Sequence, residues 1–419
     1  MAAPVSLPEG FFAASQPVSL YVHVPFCTSK CDYCAFYSLP SSRWKGGDGA
    51  IVQRYLSRLL EEVSACTQAL GRPYETIFFG GGNPGCLPVD GLESLLAAAN
   101  RFGRSRECTV EMNPESLTSA HFPLFERYVD RLSMGVQSLD GPTLRILGRN
   151  VSLPRILAGI GEASRLRERY GTRLSFDLMT CIPGQSKDAA LSDIDSLYGI
   201  VAPEHVSLYC LTLEEGTPLY FRLRERDESW QADILSACWE HLAALGYEHY
   251  EVSNFAKPGA RSLHNGRYWK LDQYVGLGPA AAGTAFSPAG LVRWECPADL
   301  DRYCSGTAFA GYAGESLSRL EELEEYLLVA LRVKDGIDKA VFQSRFGFSF
   351  DRLLSPRFLR IVDSGAYCNT GRSFSCSEIG WMVLDDIVVQ LAMEADRMAL
   401  CDDIRLKPPD CPVLSSVAP

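Results

Sequence analysis

Three cysteines stand within eight residues, Cys27-Thr28-Ser29-Lys30-Cys31-Asp32-Tyr33-Cys34, spaced C-x3-C-x2-C. Thiolates are the usual ligands of iron–sulfur clusters. A loop this short can wrap one cubic 4Fe–4S cluster and supply three of its four iron ligands. The residue two beyond Cys34 is Phe36 rather than a fourth cysteine. One iron would therefore stay open, where a small molecule can bind and react. Two plainer readings share the pattern. The thiols could hold zinc, with a distant fourth ligand such as His23. They could also pack as small buried hydrophobes. Spacing alone leaves all three open.

Other polar residues fall at the ends of apolar runs. Gly80-Gly81-Gly82-Asn83-Pro84 follows one of them. Glycines let the backbone turn and approach a ligand closely, although an ordinary glycine turn reads the same way. Glu111 lies in Val110-Glu111-Met112-Asn113-Pro114, Gln137 in Gly135-Val136-Gln137-Ser138, Arg149 in Leu147-Gly148-Arg149 and Asp177 in Phe176-Asp177-Leu178. Each alone reads as a surface or capping residue. Together they would bring polar groups to one apolar pocket, which is what orients a polar small-molecule ligand. A carboxylate can take a ribose hydroxyl, and an arginine can face a carboxylate. Further along, His264-Asn265-Gly266-Arg267-Tyr268-Trp269 joins a histidine to flat aromatic faces. Histidine is a common axial ligand of heme iron, and a histidine packed in an aromatic loop has the same sequence.

Chemistry of this kind needs a frame to position it. Short β-rich runs at 20–24, 76–79, 109–112, 131–134, 174–178 and 205–211 alternate with helical patterns. One such pattern, 51–65, repeats Ile51, Tyr55, Leu59 and Val63 four apart. Six strands interleaved with helices predict an α/β fold with a parallel sheet. Such units curl into a full or partial barrel with the chemistry at the carboxyl ends of the strands. The cysteine loop sits at the end of the first run. Residues 231–245 read as a further helix, and 287–314 as an irregular linker. Helical patterns at 320–331, 338–346, 350–362 and 377–398 predict a small, mainly helical domain over 315–400. The division is thus 1–18 as an N-terminal segment, 19–286 as barrel and extension, the linker, the helical domain and a poorly ordered tail over 401–419.

The chain has 419 residues, enough for more than one domain. Apolar content of 47% and charged content of 22% are those of an ordinary soluble protein. A formal net charge of −11 argues against a general nucleic-acid binder. No apolar run approaches the ~18 residues of a membrane span. Residues 1–26 carry no Lys or Arg, so neither a secretory signal nor a transit peptide is expected. Fifteen cysteines, an odd and mostly scattered set, do not form the framework of a small secreted protein. A reducing cytoplasm is the expected compartment.

With an aromatic before its third cysteine, the C-x3-C-x2-C loop after a strand resembles the radical S-adenosylmethionine (SAM) superfamily. There three thiolates hold a 4Fe–4S cluster whose open iron chelates SAM. One electron then breaks a carbon–sulfur bond, and the cofactors carry the hard chemistry. The resemblance narrows on several stretches in order. These are Tyr-Val-His-Val-Pro-Phe-Cys (21–27), Phe-Phe-Gly-Gly-Gly (78–82), Asp-Arg-Leu-Ser-Met-Gly-Val-Gln-Ser (130–138), Ser-Leu-Tyr-Cys-Leu-Thr-Leu-Glu-Glu-Gly-Thr-Pro (207–218) and Gly-Tyr-Glu-His-Tyr-Glu-Val-Ser-Asn-Phe-Ala (246–256). They are similar to the HemW and HemN group, over about residues 19–395.

The resemblance implies a partial (β/α)6 radical SAM barrel followed by a small helical domain. It implies cluster ligation by Cys27, Cys31 and Cys34. It implies SAM contacts at Tyr21, Tyr33, Gly81, Gly82, Asn83, Glu111, Gln137, Arg149 and Asp177. HemN is the oxygen-independent coproporphyrinogen III oxidase; HemW is regarded as a heme chaperone. Phe36 in place of a fourth cysteine, the short stretch before the first strand and the H-N-x-x-Y-W pattern at 264–269 are features of HemW. Heme bound near His264, a heme-acceptor protein, an electron donor and a peripheral membrane contact on delivery follow as expectations. The rivals are a true oxidase and a zinc-bearing interaction protein. Val151, the histidine-free Gly278-Pro279-Ala280-Ala281-Ala282-Gly283 and Cys181 depart from the related pattern.

Overall fold

Runs rich in β-branched and aromatic residues form six consecutive strands: β1 Ser19–Val24, β2 Thr76–Gly81, β3 Glu107–Met112, β4 Arg131–Gln137, β5 Arg173–Thr180 and β6 His205–Cys210. They neighbour one another in chain order and pair in parallel throughout. Most of their residues are buried, as expected of a parallel sheet covered on both faces. These features belong to a computed structural model that describes residues 3–4, 16–44, 50–223, 228–287, 290–400 and 406. The helices between the strands supply the cover. In α1, Ala50–Leu70, Tyr55, Leu59, Val63 and Cys66 recur at helical spacing and are wholly buried. After β2 comes α2, Val89–Ala99; after β4, α3, Leu153–Tyr170; and after β5, α4, Lys187–Val201.

The sheet continues past both edges. Beyond β6 lies the antiparallel pair β7 Glu248–Glu251 and β8 Asn254–Ala256, with β8 against β6. On the other edge β9, Tyr274–Leu277, pairs in parallel with β1. Antiparallel strands β10 Ala282–Ser287, β11 Gly290–Glu295 and β12 Ala313–Ser316 follow. The stretch read as an irregular linker, 287–314, is therefore corrected. It carries β11, a helix at Leu300–Ser305 and the start of β12. One buried carboxylate orders it. Glu62 of α1 accepts hydrogen bonds from Tyr303 Oη at 2.7 Å, Tyr312 Oη at 3.0 Å and the Phe309 amide at 2.9 Å, and pairs with Arg58 at 3.2 Å. A contact with a partner some 240 residues away leaves no local signature.

The C-terminal region is mainly helical. Arg319–Ala330 is capped by Ser318 and packs on Leu384–Leu400. A small sheet of Ile337–Asp338, Ser373–Cys376 and Tyr367–Asn369 packs its Phe374 against Phe350, which in turn meets Phe342. Two expected helices are shorter than their patterns. The 350–362 pattern becomes a turn at Phe350–Leu353 and a helix at Phe358–Ile361, since Pro356 between them lacks the amide a helix needs. The 377–398 pattern breaks at Val383 into Glu378–Met382 and Leu384–Leu400. One continuous core runs from Val18 to Met398. The N-terminal segment 1–18 and the tail 401–419 lie outside the described residues, save 3–4, 16–18 and 406. Among the described residues no helix is long and apolar enough to cross a membrane.

Candidate functional site

The cysteine loop leaves the carboxyl end of β1 and is pinned on both flanks. Phe26–Cys27 pairs with Leu39–Pro40, and the Leu39 amide donates to the Pro25 carbonyl at 2.7 Å. The Trp44 indole N–H donates to the carbonyls of Cys27 at 3.2 Å and Leu39 at 3.0 Å. Phe26 packs edge-on against Trp44 and Tyr55. On the other flank the Asp32 amide donates to the Leu147 carbonyl at 3.0 Å, and Asp32 pairs with Arg222 at 3.0 Å. A loop tied this way holds its thiols in place before any ligand arrives.

The three thiols border a cavity of about 310 Å³ at the carboxyl ends of the barrel strands. Tyr33, Gly81, Gly82, Glu111, Gln137, Arg149 and Asp177 share its lining with Cys27, Cys31 and Cys34. Ten of the thirteen expected residues thus meet around one space. Gly82 is required there. A Cβ at that position would lie 3.0 Å from Cys27 Sγ and 2.9 Å from the Phe26 carbonyl oxygen. Gly81 adopts φ +109° and its amide donates to Glu111 Oε2 at 3.1 Å. At the end of β4 the pairing slips between Gly135 and Gln137, and Gln137 takes φ +71°. Positive φ in a residue other than glycine costs energy and clusters at functional sites. A Cβ on Gly135 would lie 2.8 Å from Gln137 Nε2, so a glycine lets that side chain fold back over the cavity wall.

Charge is concentrated here without full compensation. Glu111 and Asp177 face the cavity rather than bulk solvent. Burial pushes the Glu111 carboxyl up to about 8, with Asp177 adding to the rise and the Gly81 amide opposing it. The Asp177 carboxyl is also raised by burial, against a hydrogen bond from Ser207 and the charge of Arg149. Arg149 donates to the Gly135 carbonyl, reaches Asn113 Oδ1 at 3.4 Å and places Nη1 3.8 Å from Cys31 Sγ. Its Nε is buried with no hydrogen-bond partner. A guanidinium beside a thiol favours the thiolate. Burial and the neighbouring thiols push Cys27 up to about 12, so ligation at this loop must release protons.

These features fit a cluster better than one metal ion. Among the described residues no three His, Cys, Asp or Glu side chains converge on a point one ion could occupy. Zinc needs four ligands around a single centre; a cubic cluster needs each thiolate to reach a different iron. The nominal fourth zinc ligand is also engaged. His23 is buried, with Nδ1 3.0 Å from Tyr21 Oη and Nε2 donating to the Tyr37 carbonyl at 2.8 Å.

Three expected residues lie outside the cavity lining. The Tyr21 hydroxyl is turned to His23. Asn83 is wholly buried beneath the site. Its Oδ1 accepts from the amides of Gly85 and Asn113 and from Ser116 Oγ, tying the glycine turn to the loop after β3. His264 is displaced furthest. It lies on the helix Leu263–Trp269, whose amides at 263 and 264 donate to Glu107, the first residue of β3. Its Nδ1 is 2.7 Å from Oγ1 of Thr76, the first residue of β2, and Nε2 is 2.8 Å from Tyr268 Oη. His264 therefore plugs the amino ends of the strands, while the thiols stand at the carboxyl ends. The residue expected near heme thus does not line the thiol cavity. Its ring nitrogens are both engaged, and its aromatic neighbours Phe78 and Tyr268 pack inside the barrel. His264→Ala is expected to lower stability by roughly 1–3 kcal/mol, because the buried Tyr268 hydroxyl loses this partner and Thr76 keeps only its hydrogen bond to Ser19 Oγ. Chemical denaturation checks this, with iron content unchanged.

The structure adds Lys30, Asn113, Met179 and Tyr209 to the lining. Asn113 and Tyr209 were within reach of sequence reasoning. Both stand at strand ends, as Glu111 does. Met179 and Lys30 carry no such mark.

Comparison with known proteins places this geometry. Residues 21–197 match the family described as the Radical SAM superfamily. The chain is 32% identical over 410 residues to radical S-adenosyl methionine domain-containing protein 1, mitochondrial, of Bos taurus, covering 92% of this chain and 89% of that one. It is 29% identical to heme chaperone HemW of Lactococcus lactis, covering 90% and 98%. It is 35% identical to heme chaperone HemW of Escherichia coli, covering 66% and 72%. Among solved structures, coproporphyrinogen III oxidase (HemN) of Escherichia coli superposes with a TM-score of 0.74 over 92% of each chain. At 18% identity that likeness is one of fold.

Proposed function

Because the chain belongs to the HemW group of the radical SAM superfamily, we propose that it is a heme chaperone that holds a 4Fe–4S cluster and SAM and passes heme to an acceptor protein. One observation carries the cofactor half of this reading. The three thiols share a single cavity with Glu111, Gln137, Arg149 and Asp177. Cys27, Cys31 and Cys34 would hold the cluster and leave one iron to SAM. When bound, the two supply one-electron cleavage of a carbon–sulfur bond. Arg149 keeps a positive charge beside Cys31 and has an unused buried donor for an anionic group of the ligand. Glu111 and Asp177 offer acceptors to an ammonium group or to hydroxyls. The Gln137 amide closes the wall at the end of β4. Tyr33 and Met179 supply the apolar surface that excludes water.

The heme half rests on the relatives' names. Both ring nitrogens of His264 are engaged, by Thr76 and Tyr268. Anaerobic reconstitution followed by two measurements on the same sample tests the whole reading. Heme is expected to bind stoichiometrically, and coproporphyrinogen with SAM and a reductant is expected to yield no protoporphyrinogen. Protoporphyrinogen formation would overturn the chaperone reading in favour of the oxidase. Failure to bind heme would leave a radical SAM protein of another role.

A further inference from the structure

Two cysteines outside the cluster loop stand side by side at the carboxyl ends of β5 and β6. Thr180, the last residue of β5, pairs with Cys210, the last residue of β6, and Cys181 is the next residue along. The Leu211 amide donates to the Thr180 carbonyl at 2.9 Å, so the two strand ends stay joined through this point. In parallel strands such a pair is separated by one strand spacing of about 4.8 Å and one step of about 3.3 Å, or roughly 6 Å between Cα atoms. Disulfides span ~4.4–6.8 Å between Cα atoms. Cys181 leaves the strand at φ +58°. That conformation suits glycine and is strained for other residues. Here it is imposed on a buried cysteine.

The two thiols meet. Cys210 hydrogen-bonds to Cys181 and, ahead of burial, is the main cause that raises the Cys181 thiol far above its ordinary range. Cys181 Sγ also donates to the Gln231 carbonyl oxygen at 3.6 Å, which holds the sulfur in place. Exposure divides the pair: Cys181 is buried, and Cys210 is partly open to solvent. Cys66 and Cys108 differ, being buried with no thiol among the groups that act on them. Among the described residues no three His, Cys, Asp or Glu side chains converge on one metal ion, so the pair offers thiol chemistry rather than a metal site. Neither cysteine lines the cluster cavity, but Met179 and Tyr209, paired one step earlier, do. On the far side Ile182 and Leu211 pack with Leu147, Met179 and Leu219, and Tyr33 of the cysteine loop rests against them.

We propose that Cys181 and Cys210 form a redox-active dithiol that closes to a disulfide by exchange with a low-molecular-weight disulfide. Cys210, the sulfur that solvent reaches, attacks one sulfur of the incoming disulfide as its thiolate and releases one small thiolate. Cys181 then gives up its proton, attacks the Cys210 sulfur and releases the second. The two cysteines lose two electrons and two protons, and the small disulfide takes up both and leaves as two thiols. The new bond ties the ends of β5 and β6 together one residue beyond the cavity wall.

The test equilibrates the reconstituted holoprotein anaerobically with mixtures of glutathione and glutathione disulfide. Samples are quenched in acid and alkylated after unfolding. Bound cluster keeps Cys27, Cys31 and Cys34 out of the exchange. Peptide mapping by mass spectrometry is expected to show the Cys181 and Cys210 peptides joined. Both thiols should disappear together as the disulfide fraction rises and return together on treatment with dithiothreitol. Cys181→Ser is expected to leave Cys210 carrying one glutathione, because no second thiol displaces it. Cys210→Ser is expected to leave Cys181 unmodified, because the buried sulfur is out of reach. Wild-type protein in which both thiols stay free in the most oxidising mixture would overturn the proposal. So would wild-type Cys210 that carries glutathione without joining Cys181. Iron analysis of the same samples reports on the cluster separately: an iron-free chain that still links Cys181 to Cys210 would count against the cluster reading alone.

Discussion

Cys31→Ala is expected to fold normally and to hold almost no iron after anaerobic reconstitution. The side chain stands half-exposed in a loop whose position depends on backbone contacts at Asp32, Leu39 and Cys27. Replacing it removes no core volume, so the stability change should stay within about ±0.5 kcal/mol. The loss at the metal is of another order. Two thiolates in place of three leave two irons without protein ligands, and ligand bonds contribute most of the binding free energy at such sites. Iron and sulfide analysis with visible absorption reads the result. Cys66→Ala is the counterpart. That thiol is wholly buried in α1, so the variant should lose stability by creating a small cavity and keep its iron. Equal iron in wild type and Cys31→Ala would mean that the three thiols merely pack.

Glu111→Gln is expected to stabilise the ligand-free chain at alkaline pH while weakening SAM. The folded-state pKa of Glu111 is raised from 4.5 to about 8, chiefly by burial and then by Asp177. A raised carboxyl binds a proton in the folded state that the unfolded chain has released. Its contribution is therefore fully present below about 4.5 and is lost as pH rises through about 8. Denaturation across that window should show stability falling with pH in wild type and a flatter profile in the variant. Binding moves the other way. An ionised carboxylate facing the cavity is a strong partner for an ammonium group, and the neutral amide is not. SAM affinity should fall by roughly 1.5–3 kcal/mol, about ten- to hundredfold, with iron content intact. A variant that binds SAM as tightly as wild type would remove Glu111 from the site.

Some of the barrel was legible because its signals are local. Strand runs at 20–24, 76–79 and 174–178 bury both faces and so read as continuous apolar stretches. The cysteine spacing and the polar residues at strand ends were legible for a related reason. In parallel βα units every strand points the same way, so residues that follow each strand gather at one end of the barrel. Cys27, Gly82, Glu111, Gln137 and Asp177 obey that rule across 150 residues of chain. Tyr209 obeys it too and was passed over because a tyrosine in a strand reads as core.

What the chain's order of residues determined by itself was thus the identity of the thiol loop, the set of polar groups at the strand ends and the parallel arrangement that brings them together. Only the tertiary structure decided where the aromatic histidine stretch goes. His264, Tyr268 and Trp269 have the types a heme site needs, and composition cannot say which end of a barrel a helix caps. Glu107 at the start of β3 and Thr76 at the start of β2 hold that helix at the end opposite the thiols. The same holds for residues 287–314, ordered by the distant Glu62. Helix and strand patterns are periodic and local; a carboxylate that meets its partner across some 240 residues exists only once the chain has closed on itself.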